Sequence, residues 1–104
     1  MQFYLKGHDG TDAEAPARRT AARPAHLALA EKMKSTGNLL MAAAIKSESG
    51  QMIGSVMVFD FPDRLEFDKY LESEPYMLSG VWKELEIQEV AVSPIFLPQT
   101  AANS

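Results

Sequence analysis

Apolar and polar positions alternate almost strictly along Glu84-Leu85-Glu86-Ile87-Gln88-Glu89-Val90-Ala91-Val92. A period of two marks a β-strand with one face in water and the other in a core. Three other stretches have strand character. Gln2-Phe3-Tyr4-Leu5-Lys6 is short and aromatic, and Gly7-His8-Asp9-Gly10 follows it with turn chemistry. Leu39–Lys46 is an apolar run of strand length, and Met52–Phe59 is rich in β-forming residues. Ser47-Glu48-Ser49-Gly50 lies between these two, so they predict a hairpin. From about Glu14 to Thr36 the good helix formers dominate, with Leu27, Ala30 and Met33 at helical spacing and Lys34 at the edge of the stripe. Pro16 suits a first turn and Gly37-Asn38 a C-terminal stop, while Pro24 predicts a kink within that helix. Phe61-Pro62-Asp63 opens a second helix with Asp63 as N-cap and Leu65, Phe67, Tyr70 and Leu71 as its apolar side. Pro75 biases Glu74 away from helical geometry and so predicts a break there, with a short connector over Met77–Trp82.

The resulting order is β-α-β-β-α-β, the ferredoxin-like split unit. The expected fold class is therefore α+β, with four antiparallel strands and both helices on one face of the sheet. The bare face then needs a cover, which small domains of this plan commonly obtain by dimerising sheet against sheet. We expect one domain over residues 1–96 and a polar, fraying tail over 97–104, with Ile95-Phe96-Leu97 available to that contact.

Composition narrows the chemistry. A chain of 104 residues with 46% hydrophobic and 23% charged residues is ordinary for one globular domain. With no cysteine, a thiolate nucleophile, a disulfide framework and Cys-ligated metal are all excluded. The net charge of −4 argues against nucleic acid as a partner, and the short Arg18-Arg19/Arg23 cluster does not reverse that. No run approaches the ~20 apolar residues of a membrane span, and the N-terminus does not read as a signal peptide, so the cytoplasm is the expected compartment. P-loop, G-x-G-x-x-G and H-E-x-x-H patterns are missing from the sequence.

Several residues stand in a recognisable order: Arg19-x3-Arg23-Pro24-Ala25-His26-Leu27, then Gly37-Asn38-Leu39-Leu40-x-Ala42, Gly54-Ser55, and Glu74-Pro75-Tyr76-x3-Gly80. Together, over about residues 2 to 96, they resemble the YCII-related (YciI-like) family. The resemblance implies a homodimeric α+β barrel of two ferredoxin-like subunits and a site built on a histidine and an aspartate. The histidine matches His26. The aspartate belongs to an Asp-Pro-aromatic motif, and here that position holds Glu74, a departure that lengthens the carboxylate arm by one methylene. The family includes proteins resembling muconolactone-type dehalogenases and isomerases.

On this reading His26 and Glu74 are the candidate catalytic pair. An imidazole exchanges protons near neutral pH, and a carboxylate beside it fixes its tautomer and stabilises its charged form. Arg19, Arg23 and His26 share one helical face at i, i+4, i+7, and the arginines are candidates to receive an anionic group. The bland alternative is a solvated basic face. Ser55 and Tyr76 are candidate substrate contacts, and Gly54 permits a close approach by backbone or ligand. Trp82 reads as a pocket wall or dimer contact. His8 and Asp9 with His26 make only a weak metal pattern, so neither metal nor cofactor is expected. Two main function classes stay open, beside a weaker third reading, a cofactor-free oxygenase on a similar dimeric barrel. One is a cofactor-independent acid/base enzyme, a lactone isomerase or dehalogenase. The other is a non-catalytic metabolite-binding or regulatory domain, which the Glu74 replacement favours.

Overall fold

The computed structural model describes residues 1–97, so the tail expected over 97–104 lies, beyond Leu97, outside the described residues. The elements are β1 (Gln2–Asp9), α1 (Ala15–Ser35), β2 (Leu39–Lys46), β3 (Met52–Asp60), α2 (Arg64–Ser73), α3 (Pro75–Leu78) and β4 (Trp82–Val90), followed by a 3-10 turn over Pro94–Phe96. The strands form one antiparallel sheet in the order β2-β3-β1-β4. This is the split β-α-β-β-α-β arrangement, and its helices cover one face.

Register shows which side chains that face receives. Leu5 lies opposite Met57 on β3 and Ile87 on β4, and Phe3 lies opposite Phe59. Phe3, Leu5, Met57 and Phe59, with Phe61, Phe67, Tyr70, Tyr76 and Val81, belong to a single buried cluster, against which the partly buried Ile87 packs. Aromatic rings dominate it. Phe67 stacks on Phe3 with centroids 4.6 Å apart and leans on Phe59 at 5.2 Å and Phe61 at 5.7 Å. Asp63 caps α2 by accepting a hydrogen bond from the Glu66 backbone N–H at 2.9 Å.

The structure corrects several local expectations. β1 does not end at Lys6; it continues through Gly7 and His8 to Asp9. Gly7 serves as a floor here: a Cβ at this position would lie 2.7 Å from three atoms of the Trp82 indole, which rests flat on the strand. Gly54 likewise lets the β1 backbone approach, since its Cβ would lie 2.6 Å from the Gly7 carbonyl oxygen. α1, by contrast, is one helix through Pro24 as expected, and the place of Pro24 on the solvent side leaves the carbonyl it cannot bond open to water. The same helix stops where Asn38 N–H donates to the Met33 carbonyl and Gly37 N–H to that of Lys34. Its buried line is Ala15, Arg19, Ala22, His26 and Met33, not the stripe through Leu27, which is 45% exposed. Leu65 of α2 is also exposed. The expected connector before the last strand contains a helical turn, α3.

β4 begins at Trp82 rather than Glu84, and it carries a register shift. His8 pairs with Glu84, yet Asp9 pairs with Trp82. The extra residue, Lys83, reverses the inside–outside parity of the strand. Trp82 therefore turns toward the helices and is 5% exposed, a core residue and not a surface contact. Among the described residues no helix is long and apolar enough to cross a membrane.

Candidate functional site

The site lies between α1 and the sheet, at the end where α3 closes over it. Glu74 is placed by backbone rules. It precedes Pro75, adopts extended geometry (φ −67, ψ 121), ends α2 and caps α3. Its side chain turns inward and is 1% exposed. Three donors converge on it. Oε1 accepts from His26 Nδ1 at 2.5 Å and from the Tyr76 backbone N–H at 3.2 Å, and Oε2 accepts from the Tyr70 hydroxyl. The extra methylene of glutamate is thus braced from both sides. Burial pushes the Tyr70 phenol well above its ordinary range, and the adjacent Glu74 carboxyl adds to that.

Because a carboxylate oxygen accepts, the hydrogen on the His26 ring sits on Nδ1, and the neutral ring carries its lone pair on Nε2. Nε2 has no protein partner among the described residues. It opens on a cavity of about 240 Å³ lined by Arg19, Arg23, His26, Leu27, Ser55, Met57 and Tyr76 among others. The His26 ring stacks on Tyr76 with centroids 3.8 Å apart and planes 10° apart, and the Trp82 indole stands edge-on at 6.1 Å. These rings allow the imidazole little freedom to rotate. Burial raises the Tyr76 phenol above its usual range as well.

The sequence-predicted residues separate into two groups. His26, Ser55, Tyr76 and Arg23 line this cavity together, and Glu74 is joined to them through His26 Nδ1. Arg23 is exposed and forms no ion pair among the described residues. Arg19 also lines the cavity, but its charge is already met. Its Nη1 bonds both carboxylate oxygens of Asp9, at 2.9 and 3.0 Å, and the pair is nearly buried. Arg19 Nη2 donates to Ser55 Oγ at 3.2 Å, and its guanidinium lies 4.8 Å from the Tyr76 ring centroid. Arg18 turns the other way, to Asp12, whose carboxyl it holds down to about 2. His8 alternates with Gly7 along β1 and so lies on the sheet face away from His26. Among the described residues no cluster of three or more metal-type ligands occurs. A larger cavity of about 650 Å³, at the far end of β1, holds His8, Asp9 and Glu84 but neither His26 nor Glu74.

Sequence reasoning missed Tyr70 and the pairing of Asp9 with Arg19, and it read Trp82 as a pocket wall or dimer contact without its inward turn. Tyr70 was recoverable, because it stands one helical turn before Glu74 and so shares its face. Asp9 and Trp82 were not, because the register shift that aims the indole inward leaves no local pattern.

The profile of the YCII-related domain matches residues 1–91. The chain belongs to the YCII-related family. Among solved structures, this YCII-related chain is similar to 5-chloro-2-hydroxyhydroquinone dehydrochlorinase (TftG) of Burkholderia phenoliruptrix, determined in complex with 2,5-dihydroxybenzoquinone. That likeness has a TM-score of 0.78 at 17% identity and covers 89% of this chain and 96% of the other. A protein of Agrobacterium tumefaciens matches at a TM-score of 0.53 and 17% identity, over 96% of this chain and 100% of that one. An uncharacterised NIPSNAP domain protein of Burkholderia xenovorans matches at 0.51 and 14%, over 95% and 100%. At these identities the likeness establishes a shared fold. No curated protein matches the chain.

Proposed function

We propose that this YCII-related protein is a cofactor-independent acid/base enzyme that moves a proton on a small molecule held in the His26 cavity. The reaction class is dehalogenation or lactone isomerisation. The observation that carries the reading is the division of labour on one imidazole: Nδ1 is tied to Glu74 at 2.5 Å, and Nε2 is left free toward the cavity. A base so held takes a proton at Nε2, and Glu74 stabilises the positive charge that follows. Arg23, exposed at the cavity wall, is the candidate counter-charge for an anionic group, with Tyr76 and Ser55 as further contacts. The shared fold with a dehydrochlorinase makes 5-chloro-2-hydroxyhydroquinone the first substrate to try. Loss of HCl from such a ring needs a proton to be moved and chloride to leave, with no net oxidation.

The test is chloride release from that compound. The intact protein is expected to release chloride, and His26→Ala to lower the rate roughly 100- to 10,000-fold, the usual span for a general acid/base group. A His26→Ala rate equal to that of the intact protein would sink the reading. Binding without any turnover would favour a metabolite-binding domain.

We propose further that two copies pair through the sheet face opposite the helices. By register, Met41, Ala43 and Ile45 of β2, Val56 and Val58 of β3, and Tyr4 of β1 form one apolar strip there, which no element among the described residues covers. Ile95 and Phe96, 82% and 73% exposed, add apolar surface. Light scattering in solution is expected to give twice the chain mass of 11.5 kDa, and Val56→Glu to halve it. A monomeric wild-type chain at about 100 µM, well above the dissociation constants of ordinary specific dimers, overturns this proposal.

A further inference from the structure

We infer that Ser55 is an obligate hydrogen-bond donor to the bound molecule, so that the His26 cavity selects ligands carrying a carbonyl or ionised hydroxyl oxygen. The inference deepens the acid/base reading and rests on it for the location of the ligand. It starts from the valence of one atom. A serine hydroxyl has two lone pairs and one hydrogen. Both lone pairs of Ser55 Oγ are occupied, since Arg19 Nη2 donates to it at 3.2 Å and Trp82 Nε1 donates at 3.1 Å. Neither of these groups can accept in return, because guanidinium and indole N–H are donors only. The Ser55 hydrogen has no acceptor among the described residues, although the side chain is 3% exposed. A buried donor left unpaired is costly, and Ser55 lines the cavity it shares with His26, where a ligand oxygen can accept its hydrogen.

The two incoming bonds also sharpen the donor. N–H groups donating into Oγ draw electron density from the O–H bond, and one of them is cationic, so the outgoing hydrogen is more positive than that of an ordinary serine. The network is anchored at both ends. Asp9 takes the other amino group of Arg19 through two contacts, and Gly7 keeps the floor on which the Trp82 indole lies. The same indole stands edge-on to the His26 ring, so donor and base occupy neighbouring walls. A ring oxygen seated on Ser55 leaves a neighbouring position of the ligand for Nε2. As negative charge grows on that oxygen during proton removal, the hydrogen bond from Ser55 strengthens, which is the condition for lowering the barrier.

The test compares two probes on the full chain by calorimetry: 2,5-dihydroxybenzoquinone, the ligand of the dehydrochlorinase structure, and para-xylene, a ring of similar width without oxygen. Ser55→Ala is expected to weaken dihydroxybenzoquinone binding roughly 10- to 100-fold, the range for a hydrogen bond to a charged acceptor, and to leave para-xylene binding unchanged. Equal weakening of both probes would mean that Ser55 only shapes the cavity, and would overturn the inference. So would unchanged affinity for dihydroxybenzoquinone, or no uptake of it by the intact protein at millimolar concentration. Exchange of the ring hydrogens of the same compound in heavy water, followed by NMR, separates this from the acid/base reading. Ser55-dependent binding with no His26-dependent exchange defeats the acid/base reading alone. His26-dependent exchange with Ser55-independent binding defeats the present one alone.

Discussion

Glu74→Ala is expected to cost the folded domain about 3–5 kcal/mol, the penalty for removing one side of a buried, hydrogen-bonded polar cluster. The truncation leaves His26 Nδ1, the Tyr70 hydroxyl and the Tyr76 N–H without their common acceptor, in a place that is 1% exposed. Domains of this size are stable by only about 5–15 kcal/mol, so the loss is a large part of the total. Glu74→Gln separates stability from chemistry. Its amide oxygen still accepts, and only its NH2 group faces a donor, so the expected cost falls to about 1–2 kcal/mol. The neutral amide no longer supports a positive imidazole, so turnover should fall nearly as far as in His26→Ala. Urea denaturation of the three proteins measures the first effect, and chloride release measures the second. A cost below about 1 kcal/mol for Glu74→Ala would mean that the cluster is not held as described.

Phe67→Ala should also cost about 3–5 kcal/mol, the range for deleting a fully buried phenylalanine. Phe67 is 0% exposed, and its ring touches Phe3, Phe59, Phe61 and Tyr70, so the vacancy opens where α2 meets the sheet. Collapse of the surrounding rings is limited, because Phe59, Phe61 and Tyr70 already stack or tilt against one another. Leu65 is the contrast within the same helix. At 63% exposure, Leu65→Ala is expected to change stability by less than about 0.5 kcal/mol. The thermal midpoints of the two variants should therefore differ by many degrees, although the sequence alone places both residues on the apolar side of α2. Similar midpoints would contradict the packing described.

That contrast shows where pattern reading succeeds. Alternation in the last strand, the β-rich hairpin and the aspartate cap are local signals, and the chain obeys them. α1 is harder to read, since its buried line contains Arg19 and His26, polar residues that a hydrophobic stripe does not reveal. The eye settles on Leu27 instead. The two polar residues are tolerated inside because each has a specific partner, Asp9 for the arginine and Glu74 for the histidine. Those partners stand 10 and 48 positions away, so no local periodicity could pair them. Only the order of family motifs brought His26 and Glu74 together before the structure did.

By itself the sequence determined the element order, and with it the split α+β sheet, because strand and helix periods and proline geometry depend on near neighbours in the chain. It also indicated that Glu74 leaves the helix, since Pro75 disfavours the helical conformation before it. Tertiary structure alone decided that Arg19 is neutralised by Asp9, that Lys83 slips the register so that Trp82 points inward, and that Ser55 is left with one hydrogen to give. Those outcomes depend on distances between segments remote in the chain, which are set by how the sheet and helices pack.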